Sequence, residues 1–128
     1  MFQSIDKQSI TSILFIFKRL NEEIMKNVLV TFEVDPKNLE YTLELVTEFA
    51  VSIKELNPGL VFYKSFTTAA KPTRFVHLLS FNTEEDYVNY RKNVKTKKYT
   101  VKLHALSKVL PVFTELNEVA SVEIENNT

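Results

Sequence analysis

From Val28 to Ile124 β-branched and aromatic runs of strand length are interspersed with segments of helical apolar period, in the order strand, helix, strand, strand, helix, strand. Few folds accept that order. Val28-Leu29-Val30-Thr31-Phe32-Glu33-Val34 is β-branched and aromatic, as a buried strand is. Asp35-Pro36 then opens a helix, because Asp is a favoured N-cap and Pro at the first helical position forfeits no hydrogen bond. Leu39, Leu43, Val46, Ala50 and Ile53 are expected to form its buried stripe, with Glu40, Glu44, Glu48 and Lys54 off that line and Asn57-Pro58-Gly59 as the stop. Leu60 to Phe66 and Arg74 to Phe81 read as two strands joined by Thr67 to Thr73, which predicts an antiparallel hairpin. Thr83 with Asp86 three residues on resembles a capping box, and Glu84 and Glu85 suit the positive end of a helix. Tyr87, Tyr90, Val94, Tyr99, Leu103, Leu106 and Leu110 carry an apolar face through that helical region, with a break expected near Thr96 and a stop at Pro111. The last strand is expected at Val119 to Ile124, before a frayed tail.

This order predicts an α+β, ferredoxin-like βαββαβ fold, a four-stranded antiparallel sheet with two helices on one face and right-handed crossovers. In the third strand Phe75, His77, Leu79 and Phe81 alternate with Val76 and Leu78, so both faces are apolar. Helices cover only one. The other face predicts a homodimer, the same sheet of a second copy being its simplest partner. At 128 residues, against roughly 150 per domain, the chain has room for one core. Residues 27–128 are assigned to it. Residues 1–26 form an N-terminal helical extension in which Ile10, Ile13, Leu14, Phe17, Leu20 and Ile24 recur at helical spacing. It suits docking on the fold, on a partner subunit or on a membrane surface, and a start at Met25 is a further reading.

Composition removes several classes of chemistry. A single glycine, Gly59, excludes dinucleotide and phosphate loops that need several glycines for close backbone approach. With no Cys there is no thiol nucleophile, disulfide, zinc ribbon or iron-sulfur cluster, and His77 and His104 are too far apart for a metal-binding helix motif. No metal site of these kinds is therefore expected. The longest apolar run, Ile13 to Phe17, is far short of the ~20 residues of a membrane span, and no secretory signal is evident, so the chain reads as cytoplasmic.

Asn57-Pro58-Gly59-Leu60-Val61-Phe62-Tyr63-Lys64-Ser65-Phe66 resembles the P-G-x-x-x-Y-x-x-[YF] segment of the antibiotic-biosynthesis monooxygenase domain family, small dimeric α/β barrels. Phe81-Asn82-Thr83-Glu84-Glu85-Asp86-Tyr87-Val88-Asn89-Tyr90 resembles its W-x-[ST]-x-E-x-[FY]-x-x-H, with Phe81 for Trp and Tyr90 for His. The likeness runs from about residue 26 to 125 in element order. It implies a small oxygenase acting on an aromatic or quinol-type molecule with molecular oxygen, often without metal or flavin. Such a reaction asks for an apolar pocket, a base and donors that steady an oxyanion. The competing reading is a non-catalytic, ligand-binding or stress-associated dimer of the same fold, whose pocket is filled by its own aromatic residues.

The resemblance turns the face of His77 toward the helices and the pocket, where an imidazole of ordinary pKa near ~6.5 could take a proton. Tyr63 matches the family tyrosine and could donate to a substrate oxygen. These two are the candidate catalytic residues, and Phe75, Phe81, Tyr87, Tyr90 and Tyr99 the candidate substrate-binding ones. A core histidine and packing tyrosines would look the same in sequence. His104 is expected at a partly exposed helix position. In haem-degrading relatives an Asn on the first strand, the Trp and a helix His form the working set; Val28 to Val34 holds no Asn and Phe81 replaces the Trp, which disfavours that activity. Arg91, Lys92, Lys95, Lys97, Lys98, Lys102 and Lys108 make the second helical region basic, yet sixteen basic residues balance sixteen acidic ones overall. No nucleic-acid partner is expected. Lysines rimming the pocket and drawing in an anionic ligand is the more useful reading.

Overall fold

The computed structural model describes residues 25–122 together with Lys7 and Ile10. Apart from those two residues, the predicted N-terminal helix lies outside the described residues. Strand β1 (Lys26–Glu33) leads through a 3-10 turn (Pro36–Asn38) into helix α1 (Leu39–Leu56). Strands β2 (Leu60–Thr67) and β3 (Arg74–Phe81) form the hairpin, followed by α2 (Glu84–Lys92), α3 (Val94–Ala105) and β4 (Val112–Leu116). The sheet order is β2-β3-β1-β4 with every pairing antiparallel, which is the ferredoxin-like arrangement.

Cross-strand registers fix two faces. On the inner face Glu115, Val28, Leu79 and Tyr63 form one row and Phe113, Val30, His77 and Ser65 the next. The rows outside these carry Phe32 with Phe75 and Lys26 with Phe81. On the outer face Leu29 pairs with Leu78, and Thr31 with Val76. Beside them lie Phe66, exposed at 52%, and Val112, exposed at 56%.

Three local signals behave as read. The Asp35 side chain accepts from the Lys37 amide at 3.2 Å, Pro36 opens the turn, and Thr83 Oγ1 accepts from the Asp86 amide at 3.1 Å while donating to Asp86 Oδ2 at 3.0 Å.

Other expectations need correction. The buried stripe of α1 is Thr42, Leu45, Val46, Phe49 and Ile53, whereas Leu43 is 45% exposed and Ala50 faces outward. The 3-10 turn delays the helix to Leu39 and the stripe runs through a buried Thr42, whose hydroxyl is spent on the Asn38 carbonyl at 2.7 Å. The expected break in the second helical region is present, at Asn93, three residues before Thr96. Asn93 is extended (ψ 121), caps α3 by accepting from the Thr96 amide at 2.9 Å, and donates to the Leu56 carbonyl at 3.4 Å. Val94 and Leu110 consequently leave the apolar face and are 69% and 88% exposed. The final strand is Val112–Leu116, earlier than expected; Val119 to Val122 is irregular and exposed. Pro111 thus precedes a strand, the helix having ended six residues before it at Ala105.

Candidate functional site

The inner face of the sheet and the helices enclose a cavity of about 760 Å³, a size typical of small-molecule sites. Its floor consists of the two central rows: Val28 and Val30 from β1, His77 and Leu79 from β3, Tyr63 from β2 and Phe113 from β4. Phe49 of α1, Tyr87, Tyr90 and Arg91 of α2, and Thr96, Lys97, Leu103 and His104 of α3 supply the walls.

Tyr63 and His77 are diagonal neighbours across β2 and β3, a relation that puts long side chains within reach. The phenol oxygen lies 3.1 Å from Nδ1 and 3.5 Å from Nε2 of the imidazole. Phe32 and Tyr63 meet the His77 ring edge-on at 5.0 and 5.2 Å, and Phe49 meets the Tyr63 ring edge-on at 5.1 Å. The imidazole is 3% exposed. Burial, reinforced by nearby His104, pushes its pKa down to about 3, so the ring is neutral at ordinary pH. Burial raises Tyr63 well above the usual phenol range, against a small opposing effect of the Ser65 hydroxyl, and raises Tyr90 likewise. Both phenols are therefore held as O–H donors. His104, sandwiched edge-on between Phe32 at 6.0 Å and Phe113 at 5.4 Å, is also lowered by burial.

Of the seven side chains singled out from sequence, Tyr63, His77, Tyr87 and Tyr90 meet on this cavity. Phe75 and Phe81 do not line it. They belong to the flanking rows: Phe75 stacks on Phe32 at 5.1 Å, and Phe81 lies beneath Tyr87 and Tyr90 at 5.3 and 5.0 Å, both 1% exposed or less. Tyr99 points to the opposite side of α3, against Phe49 at 5.6 Å and into a groove shared with Glu48, Glu55, Lys95, Lys98 and Lys102. Of the basic run, only Arg91 and Lys97 reach the cavity.

No family profile matches the chain, and no curated protein sequence does. Solved structures do. A protein from Caulobacter crescentus assigned as an antibiotic biosynthesis monooxygenase superposes with a TM-score of 0.70 at 16% identity, over 82% of this chain and 99% of the other. One from Nitrosomonas europaea with the same assignment gives 0.68 at 16%, over 74% and 90%. SnoaB, a cofactor-independent oxygenase from Streptomyces nogalater, gives 0.68 at 12%, over 77% and 96%. The chain shares the fold of these proteins.

Within that fold, sequence reasoning missed several contributors. Phe49 continues the spacing of Thr42, Val46 and Ile53, one position before the Ala50 of the expected stripe. Phe113 lies on the misplaced strand. His104 is half-buried as expected, but its ring turns to the cavity rather than to the lysines around it. Arg91 and Lys97 could not be told from five other cations by spacing alone.

Proposed function

We propose that this protein is a small oxygenase, binding an electron-rich aromatic of the quinol or anthrone type in the cavity and oxidising it with molecular oxygen. The observation that carries this reading is the convergence of a neutral, buried imidazole and a phenol donor on one aromatic-walled cavity of adequate volume. His77 accepts the acidic phenol or enol proton of the bound ligand. A base of such low pKa does this only because the anion created beside it, out of water, attracts the resulting imidazolium. Tyr63 then donates to the ligand oxyanion, which holds charge where it develops. The anion reduces oxygen directly. For an activated methylene, one ligand and one dioxygen give one carbonyl and one water: the carbon loses two hydrogens and gains one oxygen, the O–O bond breaks, and the second oxygen leaves with those two hydrogens as water. All four electrons come from the ligand, so the reaction as written calls for no metal, flavin or other cofactor. The fold of SnoaB, named a cofactor-independent oxygenase, supports the reading.

The apolar outer sheet face, which no helix crosses among the described residues, supports a homodimer, and a cytoplasmic setting goes with the reading; among the described residues no helix is long and apolar enough to cross a membrane. Oxygen uptake with a panel of quinols and anthrones tests the activity. We expect turnover by the wild type and a loss of roughly 100-fold or more in His77→Ala, the range for removing a general base. Ligand binding with no oxygen uptake anywhere in the panel would instead favour a non-catalytic binding protein.

A further inference from the structure

We infer that the cavity takes an aromatic anion: a flat ring system that seats against Tyr63 and His77 and carries a carboxylate or equivalent acid group met by Arg91 and Lys97 at the mouth. The inference rests on the proposed aromatic-binding role of the same cavity and adds its charge.

Arg91 and Lys97 are the only formally charged side chains on the lining, and no carboxylate lines it among the described residues. Both cations are exposed, whereas His77 is buried, so the charge sits at the mouth and the neutral groups at the floor. They come from either side of the Asn93 elbow, Arg91 in the last turn of α2 and Lys97 in the first turn of α3. That turn of α3 contains no acidic residue to offset them. Neither cation has an ion-pair partner among the described residues. The carboxylates at the β4 and α2 end of the same face are engaged elsewhere: Lys26 pairs with Glu115 at 2.8 Å and Glu84 at 3.1 Å. Arg91 is also positioned over the Tyr87 ring at 5.6 Å, which orders a planar guanidinium beside an aromatic wall. Two cations left without anions at the rim of a cavity with an aromatic interior describe an acid-bearing aromatic better than a neutral one. The other lysines of the basic run do not contribute: Lys95, Lys98 and Lys102 share a separate groove with Glu48 and Glu55, and Lys92 and Lys108 do not line the cavity.

A matched pair of fluorescent probes separates charge from shape: anilinonaphthalene sulfonate, and phenylnaphthylamine, the same ring system without the acid group. We expect the wild type to bind the sulfonate about tenfold more tightly, with added salt weakening the sulfonate alone. The variant R91Q/K97Q should lose about that tenfold for the sulfonate and leave the neutral probe unchanged. Both substitutions are at exposed positions and keep the fold. Lys64→Gln, on the outer sheet face, is the control for probe bound there and should change nothing. Equal affinity for the two probes, or unchanged sulfonate binding in R91Q/K97Q, overturns the inference while leaving an aromatic cavity intact. Sulfonate binding that weakens only in Lys64→Gln places the probe on the wrong face and also overturns it. Binding of neither probe overturns the aromatic cavity itself and this inference with it.

Discussion

His77 occupies a position where a proton is costly. Its ring is packed among Phe32, Phe75 and Tyr63, and His104 lies close enough to add a second unfavourable effect. In the unfolded chain the same imidazole titrates at an ordinary 6.5; in the fold its pKa is about 3. Above pH 6.5 neither state carries the proton and His77 contributes nothing to the pH dependence. Below it the unfolded chain takes up a proton that the folded one refuses, so stability falls as pH drops, by up to ~1.4 kcal/mol per unit. Between pH 6.5 and 4.5 this slope stands apart from the carboxylates, whose ordinary range begins lower. Urea denaturation at several pH values should show the wild-type midpoint falling through that window and a much flatter dependence in His77→Gln. A variant that keeps the full wild-type slope would show that the buried proton site lies elsewhere, His104 being the next group lowered in the same direction. Gly59 shows the limit of reading at this scale. It was legible as the glycine of a Pro-Gly turn, yet its φ is not in the left-handed region. A side chain there would collide with Asp86, the residue that completes the Thr83 cap, and only a fold that brings α2 against that turn reveals the constraint.

Helix α1 and the α2–α3 elbow are joined by a short polar tie that no hydrophobic period announces. Asn57, the C-cap of α1, donates from Nδ2 to the Ile53 carbonyl at 2.9 Å and to Thr96 Oγ1 at 3.0 Å. Asn57 is 5% exposed and Thr96 1%, so the bond is made away from water and its loss strands a buried group. Asn93 adds a second link across the same junction, to Leu56. The elbow sets where Tyr90, Arg91 and Lys97 stand over the sheet, which makes a packing detail a determinant of the cavity wall. Asn57→Ala is expected to cost about 1–3 kcal/mol. A double-mutant cycle with Thr96→Val by urea denaturation should give a coupling of at least ~0.5 kcal/mol, and strict additivity would mean that the two side chains do not support one another. The same tie explains which elements were legible. Strands β1 to β3 followed from β-branched and aromatic runs, the hairpin from the turn-like Thr67 to Thr73 between two of them, and the starts of the helical segments from Asp35, Pro36 and Thr83. The existence of the helix break was legible but its position was not, because Asn93 acts through caps and a tertiary bond while Thr96, polar and mid-segment, turns out to be buried. Strand β4 was also missed: Val112–Leu116 is exposed along its whole length, so its apolar content does not mark it off from the equally apolar Val119 to Val122 that follows.

For the molecule as a whole, the two faces of one sheet divide the labour. Phase put His77 on one side with Leu79 and the family resemblance turned that side toward the helices; the hairpin registers Tyr63 opposite that leucine, which closes the 3.1 Å contact. Phase does not say how far along β3 the cavity extends, so Phe75 and Phe81, in phase with His77, belong to the core on either side of it. The outer face presents Leu29, Leu78, Val76, Phe62, Phe66 and Val112 around Thr31, Ser80 and Lys64. No helix crosses it among the described residues, and the Ser80 hydroxyl is buried there without a hydrogen-bond partner. An apolar surface spanning four strands, half-buried at Leu29, Val76 and Leu78 and open at Phe66 and Val112, suits a sheet-on-sheet contact, and a two-fold partner would cover it with the ~800 Å² per subunit typical of stable pairs. Sedimentation equilibrium of the full chain should therefore return twice the 14.9 kDa monomer mass. Leu78→Asp, at the centre of that face, should shift the chain to monomer by burying an unpaired charge at the contact. Because Leu78 projects away from the cavity, the probe affinities of the resulting monomer should stay near wild type if each subunit forms its site alone. A wild-type particle of 14.9 kDa would remove the homodimer from the proposal, and a Leu78→Asp dimer would move the interface off this face.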